Sequence, residues 1–273
     1  MTETKFQMTT EEISKEISKL ATELYISVFA QYRKHVDPKV SFEENLYTLI
    51  LEQHKDTFEK RVARRLKTAG FPYVKTIEMF KMAEDFLPNL NFDEVRELIS
   101  CKFVDEKIDV CAFGPAGRGK THLALAIGYE AVRRGYSVKF RRACDLINEL
   151  NEAKTEKHLT EHKRLMSRCS LLIIDEVGYL NYDIATANLL YQVIGARYET
   201  ASTYYTSNLP FSEWKSFLGN DERLAEAIAT RIAHNSIILN MNGPKDWRFE
   251  HARSRHNKTA SDSLPENSLI DTD

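Results

Sequence analysis

The chain has 273 residues, 42% of them hydrophobic and 29% charged, with a formal net charge of -2. That composition supports one sizeable core and a smaller attached domain. The near-neutral balance excludes a chain that is basic throughout, so any surface for nucleic acid has to be local. Cys101, Cys111, Cys144 and Cys169 form no CxxC pair and have no histidine at zinc spacing, which predicts reduced thiols and a cytoplasmic setting. A polar N-terminus and the lack of a long apolar run predict neither a signal peptide nor a membrane span.

Taken in chain order, the first signals are helical. Ile13, Ile17, Leu20 and Leu24 recur at helical spacing behind Thr10, Glu11 and Glu12, and Asp37-Pro38 breaks the run. Ser41 with Glu44 three residues on reads as a capping box that opens a second helix through Leu46, Leu49 and Ile50. Phe58, Val62, Leu66 and Ala69 mark one face of a third, ended by Gly70 and Pro72. These predict an all-helical N-terminal domain over residues 1–69.

Strands and helices then alternate over residues 70–258. Asp109 to Phe113, Ser137 to Arg141, Leu171 to Ile174, Thr203 to Thr206 and Ile237 to Leu239 read as strands. Thr121 to Arg134, Cys144 to Arg168, Ile184 to Glu199 and Glu222 to Ala233 read as helical stretches. Such alternation predicts an α/β fold, a parallel sheet flanked by helices. Residues 259–273 are rich in Ser, Asp and Asn and read as a disordered tail.

Gly114-Pro115-Ala116-Gly117-Arg118-Gly119-Lys120-Thr121 fits GxxxxGK[ST]. Glycines let the backbone curl so that successive N–H groups face phosphate oxygens, and the next helix adds its positive end. Lys120 is placed to reach the outer phosphates of ATP and the Thr121 hydroxyl to ligate Mg2+. Neither Ala116 nor Arg118 needs its side chain for that contact. Leu171-Leu172-Ile173-Ile174-Asp175-Glu176 is an apolar strand ending in two acids. An acid there faces the ligand crevice of a doubly wound sheet. Asp175 is expected to hold the metal and Glu176 to orient or deprotonate the attacking water.

Several longer stretches resemble the IstB-like ATPases, AAA+ proteins that assist transposases and are related to DnaC-type helicase loaders. They are Ala63-Arg64-Arg65-Leu66-Lys67, Phe71-Pro72-Tyr73-Val74-Lys75-Thr76, Gly119-Lys120-Thr121-His122-Leu123-Ala124, Leu172 through Leu180, and Thr206-Ser207-Asn208-Leu209-Pro210-Phe211-Ser212-Glu213-Trp214. The resemblance implies an AAA+ P-loop fold and ATPase activity, with His122 counted in the nucleotide site. It makes Asn208 a sensor amide, Arg231 an arginine finger given to a neighbouring subunit, and Arg248 a phosphate contact in cis. Thr230 stands where the family pattern has Asp, and a surface salt bridge also accounts for Arg231. The finger in trans implies a homo-oligomer, with a transposase as partner.

Lys60, Arg61, Arg64, Arg65, Lys67 and Lys75 crowd one helical segment and its exit. On the wheel Lys60, Arg64 and Lys67 oppose Phe58, Val62 and Leu66, giving an apolar face and a basic one. A solvated helix face has the same pattern. With the resemblance, the expectation is largely non-specific binding of double-stranded DNA through its phosphates. The alternatives are a DnaC-like helicase loader, a metabolite kinase, which the AAA+ positions of Asn208 and Arg231 disfavour, and a nucleotide-gated scaffold, which Glu176 disfavours.

Overall fold

The computed structural model describes residues 8–80 and 86–244. The chain divides into two compact units, Met1–Arg65 and Leu66–Asp273.

In the first unit, helix α1 (Thr10–Glu23) is opened by a capping box between Thr9 and Glu12. It ends well before Asp37-Pro38, because the chain turns at Tyr25, which has φ 58°. A four-residue helix α2 (Ser27–Ala30) and a 3₁₀ turn (Tyr32–Lys34) follow. The Ser41–Glu44 box forms: Ser41 N–H donates to Glu44 Oε2 (3.0 Å) and Glu44 N–H to Ser41 Oγ (3.2 Å). The helix it opens, α3, runs unbroken over Phe42–Ala69. The expected second and third helices are therefore one, since no Gly or Pro interrupts those 28 residues.

The interior of this unit is thin. Gln53 joins α2 to α3 by accepting from Val28 N–H (3.0 Å). Leu24, Tyr25, Phe42 and Tyr47 stay 69, 91, 74 and 67% exposed.

The second unit holds a five-stranded parallel sheet. Its strands are β1 (Asp109–Phe113), β2 (Val138–Arg142), β3 (Leu171–Val177), β4 (Ser202–Ser207) and β5 (Ser236–Asn240), in the spatial order β2-β3-β4-β1-β5. Helices α4 (Phe92–Ile99) and α5 (Lys102–Asp105) precede the sheet; α4 is capped by Asn91 and buries Val95 and Leu98 at helical spacing. Helix α6 (Lys120–Arg134) closes at Gly135 and packs on β2, β3 and β4. Its approach is close at Gly128, where an added Cβ would lie 2.6 Å from Ile173 Cδ1 and 2.8 Å from Phe71 Cζ.

Helices α7 (Ala143–Thr155), α8 (Leu159–Arg168), α9 (Ile184–Arg197) and α10 (Glu222–His234) complete the unit. With Leu172, Ile174 and Tyr205 of the sheet they bury one continuous apolar cluster. Burying strands on both faces is what lets them read as apolar runs rather than alternating ones.

A buried cation ties this layer to the sheet. Arg197, 1% exposed, donates to Met166 O, Cys169 O and Ser202 O, and through Nε to Thr203 Oγ1 (3.0 Å). Thr203 N–H in turn donates to Asp109 Oδ1 (2.7 Å). Burial pushes the Asp109 carboxyl up from 3.8 to about 7, against the pull of that N–H and of Arg197.

The folded chain thus keeps a proton that the unfolded chain releases near 3.8. The stability linked to this group is whole below pH 3.8, and it drains away as pH rises to about 7. Asp109→Asn, which cannot ionise, should raise the unfolding temperature more at pH 8 than at pH 5 in scanning calorimetry. Equal shifts at both pH values would show that Asp109 ionises normally.

Candidate nucleotide site

The site is assembled at the C-terminal ends of β1, β3 and β4. Beyond Phe113 the chain curls through Gly117 and Gly119, with φ 75° and 80°, before α6 begins at Lys120. That left-handed backbone is strained for any residue with a Cβ, so the pattern of glycines and the shape of the loop are one fact.

Lys120 is buried at 8% exposure. Its Nζ donates to Gly114 O, to Pro115 O (2.8 Å) and to Asn208 Oδ1 (2.7 Å). Asn208 directly follows β4, and β4 lies between β1 and β3. Strand order alone therefore places this amide between the phosphate loop and the acid pair.

Asp175 is 2% exposed. Its Oδ1 accepts from Thr121 Oγ1 (2.8 Å) and from Thr206 Oγ1 (2.6 Å). The hydroxyl of Thr206 accepts in turn from Glu176 N–H (2.9 Å).

In a regular strand, neighbours point to opposite faces, so Asp175 and Glu176 could not both serve one crevice. Here the β3–β4 register slips between Ile174 and Val177, and Glu176 takes φ 60°. Such a bulge re-aims a side chain, and Glu176 lines the cleft while Asp175 stays buried. Thr206 braces the bulge at both residues. Its place in Thr206-Ser207-Asn208 was visible in the sequence, but its partners were not, because they lie about thirty residues away.

The cleft encloses about 700 Å³ and is lined by the loop from Ala116 to His122, by Arg142, Glu176, Tyr179, Thr206 and Asn208, and by a second wall of Tyr73, Lys75, Met79 and Phe80. No local pattern in the sequence marks this wall, and Lys75, expected on a DNA-binding surface, lines the cleft. Lys75 Nζ lies 5.6 Å from the centre of the Tyr73 ring. His122 connects the wall to α6, with Nε2 3.3 Å from Thr76 O and its ring edge-on to Phe80 at 5.4 Å. Burial lowers the His122 pKa from 6.5, which favours the neutral ring.

The remaining predicted residues are Arg231, the bases on α3 and Arg248. Arg231, on α10, is not among the described residues that line it. Its guanidinium sits over the Tyr191 ring at 4.5 Å, with Nη1 buried and without a hydrogen-bond partner. On α3, Lys60, Arg61, Arg64 and Lys67 are exposed, Arg65 is half-buried, and Val62 is buried. Lys60 is bridged to Asp56 (2.7 Å) and Ser27 (2.8 Å). Arg248 and the tail lie outside the described residues.

A parallel sheet in which one strand, β4, separates the P-loop strand β1 from the acid-bearing strand β3 is the arrangement of the AAA+ class of P-loop ATPases. The chain belongs to the family of IstB-like ATP binding proteins, whose model matches residues 15–255. It is 39% identical to the ATP-binding protein of insertion sequence IS5376 from Geobacillus stearothermophilus over 221 residues, which is 80% of this chain and 86% of that one. It is 36% identical to the corresponding protein of IS21 from Pseudomonas aeruginosa over 215 residues, or 79% of this chain and 80% of the relative. Among solved structures, AMPPCP-bound DnaA from Aquifex aeolicus matches with a TM-score of 0.53 at 22% identity, over 68% of this chain and 55% of DnaA. That last likeness speaks to the fold alone. Among the described residues, no helix is long and apolar enough to cross a membrane.

The brace at Thr206 gives a direct test. Thr206→Val should keep ATP binding but lower turnover by roughly tenfold or more, the size of a misplaced catalytic group, and Thr206→Ser should restore most of it. Turnover of Thr206→Val within twofold of wild type would show that the bulge does not need the hydroxyl.

Proposed function

We propose that this chain is a transposition helper ATPase that binds ATP with Mg2+, assembles on duplex DNA and recruits or stimulates a partner transposase. The observation that carries the reading is the linkage of Thr121, Asp175, Thr206 and Glu176 at one end of the sheet. A passive scaffold has no use for an acid turned into the cleft by a braced bulge.

The residues fit the proposed ligands. Thr121 Oγ1 and the Asp175 carboxylate, 2.8 Å apart, are the hard oxygen donors that Mg2+ takes. The curled loop and Lys120 suit phosphate, and the apolar part of Tyr73, Met79 and Phe80 suits an aromatic base. Bound Mg2+ would neutralise charge on the outer phosphates. Glu176 would then orient or accept a proton from water, while Asn208 and Lys120 hold the outer phosphate oxygens.

Residues 70–258 act as the ATPase domain and residues 1–69 as a helical domain for DNA or partner. Supporting the latter, Arg61 and Arg64 are exposed on α3, a phosphate-facing pattern whose binding would weaken steeply with salt. The exposed Leu24, Tyr25, Phe42 and Tyr47 also suit a protein partner. Arg231, outside its own cleft and with one buried nitrogen unmatched, serves a neighbouring subunit's ATP.

Steady-state ATP turnover tests the reading, measured with no DNA, with duplex and with single strands. Stimulation by duplex is expected. A response to single strands alone would point to a helicase-loader activity instead.

The role in trans is checked separately. Arg231→Ala should bind ATP normally and turn it over poorly. Mixing it with Lys120→Ala subunits, which keep the arginine but lack a working cleft, should restore turnover. No recovery in the mixture would refute the trans finger.

A further inference from the structure

The phosphate loop carries a second cation. Arg118 stands between Gly117 and Gly119, both left-handed, and lines the cleft. It is as buried as Lys120, at 8% exposure. Their surroundings differ sharply. The Lys120 ammonium has carbonyl and amide partners, whereas Arg118 Nε and Nη1 are closed off from solvent and have no hydrogen-bond partner in the protein. Among the described residues, no carboxylate forms an ion pair with it.

A guanidinium cannot shed its proton in a protein, so its burial without an anion is a standing cost. The local balance makes that cost larger. The cations Lys75, Arg118, Lys120 and Arg142 line the cleft against one lining carboxylate, Glu176, and the buried Asp175, and the positive end of α6 adds to the excess. A small apolar or hydroxyl side chain at 118 would create no such imbalance. Arg118 belongs to the loop where a polyanion is expected and lines its cleft, and a guanidinium is well suited to phosphate oxygens.

We propose that Arg118 is a phosphate ligand in its own right, donating from its guanidinium to the triphosphate of the nucleotide bound by the same chain. The cradle would then grip ATP through a side chain that the loop motif does not call for. Nucleotide binding would discharge a strain of unpaired charge that the free protein carries. This rests on the reading of the cleft as an ATP site, and the test separates the two.

Equilibrium binding of Mg-ATP and Mg-ADP should be measured by calorimetry for wild type, Arg118→Met, Arg118→Thr, Arg118→Lys and Lys120→Ala, alongside thermal unfolding of each without nucleotide. Arg118→Met and Arg118→Thr should weaken Mg-ATP binding roughly tenfold or more, the effect of one charge-assisted contact. Arg118→Lys should recover part of the loss. Without nucleotide, Arg118→Met should unfold at a temperature equal to or above wild type, because an unpaired buried charge has gone.

Mg-ATP affinity within twofold of wild type in both Arg118→Met and Arg118→Thr would overturn the proposal. So would a lower unfolding temperature with unchanged affinity, which would make Arg118 a packing residue. If Lys120→Ala also left affinity unchanged, the failure would belong to the ATP site and not to Arg118 alone.

Discussion

A carboxylate almost entirely withdrawn from water must be matched by donors, and around Asp175 that requirement organises the cleft. Its two hydroxyl partners come from different elements, Thr121 from the first turn of α6 and Thr206 from the end of β4. Holding both at hydrogen-bond distance fixes α6 against β3 and fixes β3 against β4. The same Thr206 hydroxyl then takes the backbone N–H of Glu176, so satisfying one acid also aims the next. The close approach of α6 at Gly128 belongs to the same constraint, since a bulkier residue would push the helix and its Thr121 away from the sheet.

Strand order does for Asn208 what the hydroxyls do for Asp175. With β4 inserted between β1 and β3, the residue that follows it meets Lys120, 88 positions away in the chain. The pair is part of a denser charge arrangement than the motif requires. Lys120 is matched by protein atoms, Nε and Nη1 of Arg118 are not, and the imbalance sits in the part of the loop where phosphate is expected. A similar economy is seen at Arg231, which rests on Tyr191 with one nitrogen unmatched. In both places a cation is held ready by packing while its hydrogen-bonding capacity is left open.

Elsewhere the chain satisfies its buried charge internally. Arg197 finds three carbonyls and a hydroxyl at the far layer of the sheet, and Asp109 keeps its proton to nearly neutral pH. These groups sit within the scaffold and are not among the described residues that line the cleft. The closed networks there contrast with the open donors at Arg118 and Arg231, and that contrast is the physical basis of the two roles proposed for them.

Local rules were enough to locate the strands, the phosphate loop and the capping box at Ser41, because apolar runs, glycine spacing and cap chemistry depend only on near neighbours in the chain. They also marked Asp175 and Glu176 as an acid pair at a strand end. They misjudged the division of α3, where nothing in the residues breaks a helix, and were silent on the short helices α4 and α5. What they had no means to reach were facts of register and topology. The slip that turns Glu176 into the cleft depends on a hydroxyl thirty residues on, and the wall from Tyr73 to Phe80 is brought to the loop by contacts through His122. The burial of Arg118 is likewise set by surroundings that no local pattern encodes. Composition and spacing determined which chemistry was present; only the packing of distant segments decided which side chains met it and which were left without a partner.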